Sequence, residues 1–120
     1  MSDDGVRRNI AEVSDADRIR FRNAILELNA RKYQGRRNDQ PLAGGVSYWF
    51  KQDEIHQATH VHGGPGFLPW HREIVNRFEA LLREIDPGVS LHYWDWRTDP
   101  VNGPLDLFTQ EFMGASQGEA

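Results

Sequence analysis

Residues 54–79 read EIHQATHVHGGPGFLPWHREIVNRFE, and this stretch decides how the chain is read. Four of the five histidines, His56, His60, His62 and His71, fall inside it. A helix over residues 46 to about 60 puts His56 and His60 four apart, on one face. Residues 61–68 cannot continue it as regular helix, because Gly63, Gly64, Pro65 and Gly66 interrupt. Pro69 suits the first turn of a new helix, where its missing N–H costs little. That helix runs to about Ile85 with an apolar stripe of Ile74, Val75, Phe78, Leu81, Leu82 and Ile85, and Asp86-Pro87-Gly88 stops it. His71 falls in its first turn, on the side of Val75 and Phe78, and is expected to point toward the core. The stretch thus predicts two antiparallel helices joined by a glycine-rich link that carries His62.

A lone histidine on an apolar face is ordinarily a satisfied core residue. Four within sixteen residues, on converging elements, point instead to a metal site of the kind helix bundles build from inward-facing side chains. The chain has no cysteine, so a transition metal here is held by imidazole. Neutral imidazole suits copper, zinc, iron and nickel, which leaves the metal open. The spacing lacks the glutamate of an HExxH hydrolytic zinc site. The ligand set is open too, since a shared helix face favours His56 with His60.

Outward from this stretch, Ser14 followed by Asp15-Ala16-Asp17 marks a helix start with acids in the first turn. Phe21, Ala24, Ile25 and Leu28 give that helix a core-facing stripe, and it is expected to run to about Tyr33, before Gly35. Residues 34–45 are polar and contain Asn38-Asp39-Gln40-Pro41 and Gly44-Gly45, which predicts a loop. Residues 1–13 read as a lead-in strand or coil. Residues 89–96 are β-branched and aromatic and read as a strand or extended segment. Residues 105–112 read as one or two helical turns, and the tail beyond Gly114 as coil.

At 120 residues the chain is one domain or part of one, with its core expected over residues 14–112. A net charge of −4 argues against nucleic acid as a partner, and Arg7-Arg8 and Arg36-Arg37 read as solvated surface. The acidic start Met1-Ser2-Asp3-Asp4 has no apolar region of a secretory signal, and no run is long enough to span a membrane. A cytoplasmic location is the default expectation; export alongside a partner leaves no trace in such a chain.

Three elements carry a family resemblance: HGGPGFLPWHR from His62 to Arg72, FEALL from Phe78 to Leu82, and YWDW from Tyr93 to Trp96. In this order and separation they resemble the first copper-binding half of the tyrosinase family. That family comprises the type-3 copper proteins: tyrosinases, catechol oxidases, o-aminophenol oxidases and related hemocyanins. The resemblance covers roughly residues 18–112. It implies a mainly α fold, an antiparallel helix pair forming half of a bundle with an all-histidine copper site. It implies three ligands on the first copper: His71 at the end of FLPWH, His62 nine residues earlier, and His56 on the preceding helix. His60 then stands as an alternative ligand or as a neighbour of the ligands, at a position where some members carry a cross-linked cysteine. Arg72 and Glu79 share the helix of His71; Glu79 reads as a surface ion-pair residue or as one that orients a ligand. Asp95 is expected to hydrogen-bond structurally, for example as a helix cap. His92 replaces the proline usual before YWDW, which is expected to alter local backbone stiffness; it is a poor ligand candidate.

A type-3 centre uses two coppers, each held by three histidines. Outside His56, His62 and His71 the chain has only His60 and His92, so it cannot supply a second set. The resemblance therefore implies a dicopper centre completed by a second copper-binding chain or by a homodimer. So completed, it would oxidise monophenols or o-diphenols to o-quinones with dioxygen. The alternatives are an isolated half binding a single copper, and a module that binds dioxygen without turnover.

Overall fold

The computed structural model describes residues 5–33, 36–37, 40–41, 45–97 and 107–114. Among them are three helices, α1 (Asp15–Ala30), α2 (Tyr48–Thr59) and α3 (Phe67–Ile85), and two two-residue strands, β1 (Arg36–Arg37) and β2 (Gln40–Pro41). The fold is mainly α. The strands pair antiparallel within the segment expected as loop, Arg36 opposite Pro41 and Arg37 opposite Gln40. No described helix is long and apolar enough to cross a membrane. The chain divides into two compact units, one of residues 1–23 and 88–120, the other of residues 24–87.

In the first unit, Ser14 caps α1: its Oγ accepts the Asp17 N–H at 3.1 Å. The Arg18 guanidinium donates to the Val13 carbonyl at 2.8 Å and pairs with Asp15. Ile10, Val13 and Leu107 form a buried cluster with Phe112 packed against it. A single parallel bridge joins Asn9 to Tyr93, with Ile10 N–H on the Tyr93 carbonyl at 2.9 Å and Tyr93 N–H on the Arg8 carbonyl at 3.0 Å. The extended reading of residues 89–96 thus reduces to one bridge. Asp95 has the structural hydrogen-bonding role expected of it, accepting from the Arg97 side chain through both carboxylate oxygens at 3.0 and 3.2 Å. The described part of residues 105–112 forms hydrogen-bonded turns, with Phe112 and Gly114 N–H groups both on the Thr109 carbonyl.

The second unit holds the rest of α1 with α2 and α3. Helix α1 ends at Ala30, three residues short of the expected Tyr33. The backbone there turns to bond elsewhere: Tyr33 N–H donates to the Val46 carbonyl at 2.7 Å, and Tyr48 N–H to the Arg31 carbonyl at 2.9 Å. Ser47 joins the two helices. Its Oγ accepts the Phe50 N–H at 3.0 Å, capping α2, and donates to Asn29 Oδ1 on α1 at 2.9 Å. The Tyr33 and Tyr48 rings meet edge to face, and Lys51 sits over the Tyr33 ring.

Helices α2 and α3 run antiparallel. Trp49 at the start of α2 meets Phe78 late in α3, while His56 near the end of α2 meets Trp70 at the start of α3. Burial is uneven. Ala24, Leu28 and Leu82 are buried, but no residue of α2 is. Of the expected α3 stripe only Leu82 is fully buried, and Val75 is exposed.

Replacing the capping serine tests the α1–α2 junction. Ser47→Ala removes an N-cap and the bond to Asn29, and is expected to cost about 1–2 kcal/mol of stability. Urea denaturation checks it; a loss no larger than that of a surface control would show that the junction is held elsewhere.

Candidate metal centre

The Gly-rich link brings the histidines together. Helix α2 ends when His60 adopts the left-handed conformation, φ 49° and ψ 44°, with its N–H on the His56 carbonyl at 3.2 Å. This turns the chain sharply, since left-handed backbone cannot continue a right-handed helix. Gly64 then takes φ +79°, a value open to glycine at no steric cost. Helix α3 starts at Phe67, with Pro69 in its first turn. Two residues past His60, the reversed chain sets His62 back against His56.

The geometry follows from that reversal. His62 Nε2 lies 3.0 Å from His56 Nε2, and His71 Nε2 lies 3.3 Å from it. One ring nitrogen from each of His56, His62 and His71 falls within a 4.8 Å span. His56 and His71 are half-buried and His62 is exposed, so the cluster opens to solvent on the His62 side. His60 is outside the cluster. Its ring centroid is 5.1 Å from that of His62, and the shared face expected for His56 and His60 does not form, because His60 is no longer in the helix. His92 belongs to the other unit and is not part of the cluster.

Two neighbours that the sequence reading did not single out shape the cluster. His71 Nδ1 donates to the Phe67 carbonyl at 2.7 Å, which fixes the tautomer and leaves Nε2 as the bare acceptor. The Phe67 ring also packs on the His71 ring at 4.2 Å. Trp70 lies against both His56 and His71, at 5.8 and 4.8 Å between centroids. The available signal was spacing, since Phe67 is four residues before His71 on one helix face.

These nitrogens fit a cation. Neutral rings can place at most one proton at His56 Nε2, and it would have to be shared between two neighbours. A metal at the centre satisfies all three lone pairs. Imidazole nitrogens about 2.0–2.1 Å from a tetrahedral ion stand roughly 3.3 Å apart, close to the two separations from His56 Nε2, 3.0 and 3.3 Å. The electrostatics agree. Removal of water from His62 by its surroundings holds its pKa below the ordinary histidine value, and charge on His56, His60 or His71 pushes the same way. The neutral, ligating form is therefore favoured.

The common central domain of tyrosinase, as a family model, matches residues 28–119. Grixazone synthase of Streptomyces griseus is 35% identical over 112 residues, an overlap of 92% of this chain and 35% of that protein. Tyrosinases of Streptomyces lincolnensis and Streptomyces glaucescens are 31% and 33% identical over 111 residues, each overlap covering 92% of this chain and 38% of the relative. The chain thus spans little more than a third of the length of these relatives.

The depressed His62 pKa has a definite sign. Folding favours the neutral ring, so its contribution to stability is complete above the unfolded-chain value of about 6.5 and is lost as pH falls through the lower folded value. In metal-free protein, an NMR titration of the ring is expected to give a midpoint below that of free histidine, moving up in His56→Ala. A midpoint at or above the free value would contradict the packing described.

Proposed function

The chain belongs to the tyrosinase family, and from that membership we propose that it is the first copper-binding half of a phenol oxidase. His56, His62 and His71 hold one copper through Nε2 in this reading. The observation that carries it is the convergence of three Nε2 atoms, with the His71 tautomer fixed by the Phe67 carbonyl. Copper is chosen over zinc on family membership, since imidazole accepts both and cupric ion binds more tightly. When bound, copper supplies the redox chemistry that couples dioxygen reduction to the oxidation of a phenol.

The protein's own residues hold and orient. The Phe67 carbonyl keeps the His71 proton on Nδ1, away from the metal side. Phe67 and Trp70 wall the rings of His71 and His56, which limits their rotation and excludes water from one flank. The exposed His62 side is the open approach for a phenolic ring and dioxygen, and an aromatic substrate can stack on an imidazole there.

The second copper site lies outside these 120 residues, since two histidines cannot form another set of three. We place it on a second copper-binding chain, or on a second copy of this one. The exposed apolar side chains of α2 and α3 support a missing layer: Trp49, Phe50, Ile55, Leu68 and Val75 are all at least 40% exposed. A helix pair buries its stripes only against a further layer. The substrates proposed are monophenols or o-diphenols, oxidised to o-quinones.

Copper content, solution mass and catechol oxidation of the loaded protein test this together. One copper per chain, with oxidation in a dimer or on adding a second copper-binding chain, is the expected outcome. One copper per chain with no oxidation in any assembly would reduce the chain to a single-metal or dioxygen-binding module. The ligand set has its own test. Alanine at His56, His62 or His71 is expected to weaken copper binding at least a hundredfold. His60→Gly, which suits the left-handed backbone, should leave affinity within about threefold. A large loss in His60→Gly would bring His60 into the ligand set.

A further inference from the structure

Residue 92 was expected to matter for backbone stiffness, yet its side chain is the more informative part. His92 lies in the unit of residues 1–23 and 88–120, next to the Asn9–Tyr93 bridge. Both of its ring nitrogens are buried, and neither has a hydrogen-bond partner. Buried polar groups are satisfied in the great majority of cases, so an imidazole with two orphaned nitrogens calls for an explanation. Strand alternation puts residues 92 and 94 on the same side of the bridge.

That side is a cavity of about 200 Å³. Ile10, Phe21 and Leu107 form its buried floor, while the exposed Trp94, Phe108 and Met113 stand at its rim. The Phe21 ring packs on the imidazole at 5.1 Å. The lining is thus mostly aromatic and aliphatic; Tyr93 and Trp94 add a hydroxyl and an indole N–H, and His92 contributes the two buried nitrogens that have no partner. An apolar cavity of about 150 Å³ is enough to hold benzene, so this one has room for a single ring with a small substituent. Burial pushes the His92 pKa down; Asp17 pulls it up less strongly than that, and Arg8 and Arg18 each add a smaller downward push. The neutral ring is therefore favoured, and it offers one nitrogen as a donor and the other as an acceptor.

We propose that this cavity binds a one-ring aromatic bearing a hydroxyl, with the ring among Phe21, Trp94 and Phe108 and the hydroxyl hydrogen-bonded to His92. A hydroxyl both donates and accepts, so it can pair with either imidazole nitrogen. A purely apolar ring leaves both nitrogens unpaired, and polar sites reject such analogues for that reason. The site involves no residue of the His56–His62–His71 cluster and does not rest on the copper reading.

The test uses the metal-free 120-residue chain, so that no phenol is held by copper. Phenol and toluene are titrated while the ¹⁵N resonances of the histidine rings are followed. Phenol is expected to shift the His92 ring nitrogens saturably, and toluene to bind at least tenfold more weakly without moving them. His92→Phe should lose tenfold or more in phenol affinity, and Met113→Trp, a change at the exposed rim, should also weaken binding. Unmoved His92 nitrogens at the solubility limit of phenol would overturn the proposal. So would equal affinities for phenol and toluene, and so would phenol affinity retained in His92→Phe. If His92→Phe does not fold, the contrast between the two ligands on the unaltered chain decides alone.

Discussion

Three imidazole nitrogens crowd one point, and the second unit is arranged to keep them there. His56 Nε2 stands 3.0 and 3.3 Å from two others of its kind. Without a cation those contacts set lone pair against lone pair, or one shared proton against both. The fold opposes that repulsion at the base of each of the three histidines. Ser47 fixes where α2 begins and hence the phase of His56 on it. His60 ends α2 in a left-handed turn, after which His62 folds back on His56. The Phe67 carbonyl turns His71 so that Nε2, not Nδ1, faces inward.

Much of this was legible because local chemistry announces it. Ser14 before two acids, and Pro69 after a run of glycines, mark helix starts that the structure keeps. The α3 stripe runs to Ile85 and stops before Asp86-Pro87, where propensity says it must. Two differences have separate causes, pairing with another segment in one and a single backbone conformation in the other. Lys32 and Tyr33 fit a longer α1, but Lys32 sits in a bridge opposite Ser47 and the Tyr33 N–H donates to the Val46 carbonyl. His60 fits the face of His56 only if the helix continues, and one left-handed residue removes that premise.

The candidate site was half readable. Four histidines in sixteen residues announce metal chemistry, yet spacing alone could not say which of them converge. Periodicity favoured His56 with His60, whereas the nitrogens that lie together belong to His56, His62 and His71. The difference is the conformation of the link, which glycine permits but does not dictate. Phe67 and Trp70 stood in the sequence only as part of the FLPWH element, and the contact of Phe67 with His71 Nδ1 runs through a backbone carbonyl that side-chain pattern does not reveal. His92 escaped for a related reason: its orphaned nitrogens exist only once Phe21 and Leu107 have closed around it.

The shortness of the link between α2 and α3 carries a kinetic consequence. His56 and His71 are fifteen residues apart, with His62 between them. Closing a loop of about ten residues takes roughly 10–100 ns, and helical hairpins rank among the fastest structures to form. All three nitrogens can therefore meet as soon as one αα-hairpin exists, without waiting for distant parts of a polypeptide. A metal captured at that stage would hold the two helices together while their apolar flanks are still bare. Ion binding would then come early in assembly, and would template the surface on which any later layer packs.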